Sequence, residues 1–170
     1  MTRKPIHRFL PLTYKPKIPE VLAGTINQSI RIDTDLQVGD FIRFHGWEGI
    51  PYHSKWSFRT PYLQLTMAMP INVRKNDSIY FPETGEVYKR PSGFLNTLAA
   101  LDGIDPPTTE ELIRVLRAMH GKGYLQGKVL RWDPKPFLEK KRLALIDPTV
   151  SFIQIGDIEK QCRDNSAILQ

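Results

Sequence analysis

Apolar positions along this chain fall mostly in short alternating runs, and two stretches of helical spacing interrupt them in the second half. His7-Arg8-Phe9-Leu10-Pro11-Leu12 predicts a strand, with Pro11 suited to a sheet edge. Residues 18–23 predict a short helix, and Gly24 supplies the left-handed cap that ends such helices. Residues 29–32 alternate as a strand, 33–37 form a polar loop, and Val38-Gly39-Asp40 turns the chain into a strand over 41–45. Residues 46–60 read as a loop, residues 62–67 as a strand, and 79–88 as a hairpin around Pro82-Glu83-Thr84-Gly85-Glu86.

The period then changes. Ser92 caps a predicted helix with apolar positions at 94, 95, 98 and 101, stopped by Asp102-Gly103. Thr108-x-x-Glu111 is a capping box, and Leu112, Val115, Leu116 and Met119 follow at helical spacing as core residues up to Gly121. Residues 124–132 predict a strand, broken by Asp133-Pro134-Lys135-Pro136. Residues 143–146 and 149–155 flank Asp147-Pro148 as a late hairpin, and the polar tail after about residue 160 is expected to fray. Many short strands with two or three helices predict an α+β fold around a small barrel.

Composition narrows the class. The 170 residues fit one domain with an extension, and 41% hydrophobic with 25% charged residues is ordinary for a globular protein. No apolar run reaches the ~18 residues of a membrane span. The basic start Met1-Thr2-Arg3-Lys4-Pro5 is not followed by the apolar core of a signal peptide. The single Cys162 fits a reducing compartment, so a cytoplasmic location is expected. The net charge of +6 is uneven. Residues 1–60 hold nine Lys/Arg against five Asp/Glu, 61–120 six against seven, and 121–170 nine against six. If the positive ends meet, they make a face that attracts phosphates; otherwise the charge serves solubility.

Gly24-Thr25-Ile26-Asn27-Gln28-Ser29-Ile30-Arg31, followed by Val38-Gly39-Asp40, resembles the signature of the ASCH family, small domains on a PUA-like β-barrel. That motif reads Gly-x-Lys-x-x-Thr-x-Arg before a Val-Gly-Asp turn; here Ser29 replaces Thr and Ile26 replaces Lys. Phe9-Leu10-Pro11-Leu12-x-Tyr14 and residues 18–22 resemble the family's first strand and short helix. Asp102-Gly103-Ile104, Glu110-Glu111-Leu112 and residues 128–132 resemble its later segments, so the likeness touches most of residues 5–132. It implies an ASCH/PUA-like domain over 1–132 with a helical insertion at about 92–121. A basic C-terminal β extension, 133–170, would pack on or extend the barrel.

The implied function is RNA or nucleotide binding. In members described as amidohydrolases, the motif Lys and Thr with a downstream Glu hydrolyse acylated nucleosides; by position those roles fall on Ile26, Ser29 and Asp102. Ile26 cannot activate a hydroxyl, so Ser29 and Asp102 are the catalytic candidates of a second reading, a hydrolase acting on modified nucleosides or RNA. Lys55 is a spatial substitute to be tested. In the plainer reading, Ser29 and Arg31 are strand residues and Asp102 ends a helix. A third reading is a protein-interaction module of a ribonucleoprotein, using 133–170.

The densest candidate for binding is the loop 44–59. Trp47, Tyr52 and Trp56 offer faces for stacking bases, while His53, Lys55 and Arg59 offer charge to phosphates. With Arg31 they would form one cleft for RNA, whether tRNA, rRNA or single-stranded. The alternative is that both Trp side chains plug the barrel ends. His45, Glu48 and His53 match no zinc spacing, so neither a metal nor a cofactor is expected. His120 beside Gly121 reads as a cation at a helix C-terminus.

Overall fold

A computed structural model describes residues 3–50 and 53–139. The chain divides into two units, Met1–Phe137 and Leu138–Gln170, and the account below concerns the first. Tyr52, the late hairpin at 143–155, Cys162 and most of the 133–170 extension lie outside the described residues.

The fold is α+β, with eight strands and two helices at the expected place. The strands are β1 (His7–Pro11), β2 (Gln28–Ile32), β3 (Phe41–Trp47), β4 (Trp56–Arg59), β5 (Leu63–Val73), β6 (Ile79–Phe81), β7 (Glu86–Tyr88) and β8 (Leu125–Trp132). A single 3₁₀ turn, Lys15–Lys17, leads into α1 (Ile18–Ala23); α2 (Gly93–Leu101) and α3 (Thr109–His120) fill the predicted helical segment.

Local chemistry explains the boundaries. Gly24 ends α1 at φ 74°, in the left-handed region where a Cβ is penalised. Ser92 and Thr108 accept hydrogen bonds from the Leu95 and Glu111 N–H groups, 3.3 and 3.2 Å. Glu111 does not reach back to complete the capping box; it pairs with Arg114 instead.

Two expected boundaries change. The loop predicted over 46–60 contains β4 and the end of β3, which pair with a bulge between Gly46 and Trp47. Glycine, bends and aromatics masked this hairpin, and the bulge offsets its alternation. β5 runs to Val73 rather than stopping at Met67, because it serves two neighbours in succession. It pairs with β3 at Leu63 and Gln64, then with β8 along Leu65–Val73 and with β6 at Asn72 and Val73. Met67 and Met69 pack against one core and Ala68 against the other, so an apolar run over 67–71 replaces strict alternation there.

Two cores result. One lies between the sheet formed by β2, β5, β6 and β8 and the pair α2–α3, with Ile71, Val73, Leu95 and Leu112 fully buried. The other gathers Leu10, Ile42, Phe44, Leu63 and Trp132 from β1, β3, β5 and β8, together with Phe137. Ile26, at the resembled Lys position, packs against this second core.

The strands do not close into a barrel among the described residues. β1 pairs with β3 and β2 with β8, but no ladder joins β1 to β2. Side chains take the facing edge groups instead. The Ile30 N–H donates to Asp102 Oδ1 (2.8 Å), and the Pro11 carbonyl accepts from Arg31 Nη1 (2.8 Å). Pro11 has no N–H to offer a ladder. The seam between β1 and β2 is therefore lined with side chains. No described helix is long and apolar enough to cross a membrane.

Candidate functional site

The seam draws its charged groups from three places. Pro16 sits in the 3₁₀ turn, which turns Lys17 inward at the start of α1, where it is only 2% exposed. Asp102 caps the C-terminus of α2 and is 7% exposed. Lys17 Nζ lies 3.0 Å from Asp102 Oδ1, the same oxygen that accepts from Ile30. β2 contributes Ser29, which is buried, and Arg31, two positions on and projecting the same way. The Arg31 guanidinium carbon stands 5.3 Å from the centre of the Phe44 ring. Its Nε is buried and has no hydrogen-bond partner among the described residues.

Burial governs the proton affinities here. Loss of water pulls Lys17 below the usual ammonium range; attraction to Asp102 opposes that, and repulsion from Arg31 adds to it. Asp102 is pushed up by burial, against the pull of Lys17, the Ile30 N–H and Arg31. Burial brings Arg31 down to about 10, opposed by Asp102. Each shift favours a neutral form, and the contact between Lys17 and Asp102 opposes it in both.

These groups border a cavity of about 270 Å³. Its walls are β1 with the segment to Tyr14, β2 with the segment to Thr34, and one face of α3. Three cations, Arg8, Lys17 and Arg31, stand against two carboxylates, Asp33 and Asp102. Leu112 and Val115 supply an apolar side. Such a cavity can take a ligand with an apolar or planar body and an anionic or carbonyl oxygen directed at Arg31.

No family model, curated protein or solved structure matches this chain.

The predicted site residues separate into two groups. Ser29, Arg31 and Asp102 line the seam cavity. Trp47, Lys55, Trp56 and Arg59 belong to the β3–β4 hairpin, and none of them borders that cavity. His53 is exposed in the same hairpin's connection. Lys55 is thus not the lysine beside Asp102; Lys17 is. Nothing local marks Lys17 as special, since Lys15-Pro16-Lys17 reads like any basic turn. His120 lines the cavity, and burial with repulsion from Arg31 lowers its pKa despite Asp33 nearby. The expected helix-end cation is thus disfavoured, by desolvation first and then by the Arg31 charge.

On the other side of β1 the His7 and Phe9 side chains face outward. Phe9 lies 5.7 Å from Trp56, 6.2 Å from Tyr62 and 6.4 Å from His45, centre to centre. His45 stacks on Trp56 (4.7 Å) and meets Trp47 edge-on (4.7 Å); the Arg59 guanidinium lies 3.6 Å over Trp56. Both tryptophans are half-buried in this cluster. They neither plug a barrel end nor share a wall with Arg31.

Proposed function

We propose that the protein binds RNA or a nucleotide, with the seam cavity receiving a phosphate or a base edge on Arg31. One observation carries this reading: a buried guanidinium in the cavity wall has a donor, Nε, with no partner among the described residues. An unpaired buried donor costs about 1–3 kcal/mol, and a ligand acceptor would remove that cost. The net positive lining and the resemblance of residues 24–40 to the ASCH signature support the same reading. On this reading the barrel is PUA-like with an open seam, and the protein works in the cytoplasm, where its lone cysteine stays reduced.

The test is calorimetric titration with pooled tRNA and with pyrimidine and purine nucleoside monophosphates, at two salt concentrations. Wild-type protein should bind with salt-sensitive affinity, and a folded Arg31→Met variant should lose about tenfold or more, as expected for a charged hydrogen bond. Absence of binding at low salt, or equal binding by the variant, would overturn the proposal.

A second reading, hydrolysis of acylated nucleosides, is favoured by one specific contact. Lys17 meets Asp102 at 3.0 Å in the cavity that also holds Ser29. A desolvated lysine with a lowered pKa can take the proton of a hydroxyl nucleophile. Here the amine comes from the turn before α1, not from the motif position held by Ile26. Release of cytidine from an acylated cytidine, followed by chromatography, decides it; turnover that survives Ser29→Ala would exclude the serine mechanism.

A further inference from the structure

The outer face of β1, β3 and β4 is a contiguous aromatic and cationic surface distinct from the seam. We propose that it binds single-stranded nucleic acid, and that Phe9 and Tyr62, rather than the tryptophans, are the rings on which unpaired bases stack. The inference does not depend on the seam cavity holding a nucleotide.

The register places the members side by side. His7, Phe9 and Pro11 pair with Phe41, Arg43 and His45, and His45 pairs with Arg59. Phe9 and Tyr62 are 44% and 38% exposed, whereas Trp56 already carries His45 and Arg59 against its ring. Arg43 is buried, donates from Nε to the Thr60 carbonyl (2.7 Å), and sets its guanidinium 5.9 Å from the Phe9 ring and 5.2 Å from the Tyr62 ring. One cation therefore backs both exposed rings. His7 closes the row, 4.8 Å from Tyr62. None of these register positions carries a carboxylate.

A contiguous exposed ring cluster is more than the scattered apolar residues normal on a surface. Rings held on β1 and directly before β5, with arginines between them and no carboxylate at the paired positions among the described residues, complement a chain of bases with a phosphate backbone. A duplex hides its base faces and would gain nothing from the rings. An acidic protein would use the charges and leave the rings idle.

The experiment is a fluorescence-anisotropy titration with labelled oligo(U), oligo(dT), a duplex of equal length and polyglutamate. Single strands should bind at least tenfold more tightly than the duplex and polyglutamate. Phe9→Ala and Tyr62→Ala should each weaken single-strand binding at least fivefold. Trp56→Phe, which keeps a ring against His45, should change it less than twofold, and the losses on Phe9→Ala and Tyr62→Ala should be of the same size in an Arg31→Met background. Near-ultraviolet circular dichroism checks that each variant is folded. Equal binding of polyglutamate, a preference for duplex, or indifference to both Phe9→Ala and Tyr62→Ala would overturn the proposal. Loss on Arg31→Met alone would assign the binding to the cavity instead.

Discussion

The seam and the outer face share strand β1 and the same residue types, yet they use charge in opposite ways. At the seam Lys17, Arg31 and Asp102 sit out of water, so each charge is held by a specific partner and shapes the stability of the fold. On the face Arg43 is also buried and held by the Thr60 carbonyl, but its guanidinium lies against the exposed Phe9 and Tyr62 rings rather than a carboxylate. The difference lies in what each charge faces: Lys17 meets a carboxylate at the seam, whereas Arg43 and Arg59 lie against aromatic rings on the outer face. The comparison also separates two measurements that a single cleft would have merged: Lys17 and Asp102 variants should move stability, Phe9 and Tyr62 variants binding.

The largest effect is expected from Asp102→Ala. It strands the Lys17 ammonium and the Ile30 N–H in an apolar setting and should destabilise the fold by about 3–5 kcal/mol in urea denaturation. The double variant Lys17→Met, Asp102→Leu should recover much of that, leaving chiefly the unpaired Ile30 N–H. A loss below about 1 kcal/mol for Asp102→Ala would mean that water reaches the pair, and the contrast with the face would fail.

A middle-sized effect concerns pH on the face. Burial, then repulsion from Arg59 and Arg31, lowers the pKa of His45, and its Nδ1 has no partner among the described residues. The unfolded chain therefore takes up this proton first as pH falls through about 6.5, so folding stability should decline on acidification from there until the folded histidine also protonates. His120 shifts the same way at the cavity. His45→Gln should flatten the thermal-stability profile between pH 7 and 5.5 more than His120→Gln does. An unaltered profile in both would sharpen the comparison by moving acid sensitivity to the carboxylates.

The smallest effect should come from the rim. Arg8 meets Asp35 at 3.2 Å with both side chains well exposed, so Arg8→Ala should change stability by less than about 1 kcal/mol in the same denaturation assay.

Much of the frame was legible from local signals. The caps at Ser92 and Thr108, the left-handed Gly24 and the helical spacing over 92–121 act within a few residues of themselves, and each appears as expected. β4 was hidden because a bulge breaks the alternation by which strands are recognised. The length of β5 was hidden because its second half packs apolar side chains on both faces, Met67 and Met69 on one and Ala68 on the other. At the site, Ser29, Arg31 and Asp102 were marked by the motif, yet Lys17 carried no mark: its role depends on Asp102, far away in sequence and close only after α2 has packed. The tryptophans drew attention by density, but density does not say which rings stay exposed. That depends on what stacks on them, and Phe9 and Tyr62 sit in ordinary-looking strand sequence.

Asp40 gives the Val-Gly-Asp turn a wider meaning. Its carboxylate accepts from the Ile6 and Gln37 N–H groups (3.0 and 2.8 Å) and pairs with Arg3 at 2.9 Å. Burial would raise its pKa, but those donors hold it below the ordinary value. It thereby fixes where β1 begins against β3. Because successive residues of a strand point to opposite sides, a shift of one position would carry Arg8 to the aromatic side and Phe9 into the cavity. The N-terminal strand is in this sense a ruler read from both edges, and Asp40 is its zero mark. A one-residue insertion between Ile6 and Phe9 would exchange what the two surfaces present, whereas the same insertion in the exposed turn between β6 and β7 would displace neither.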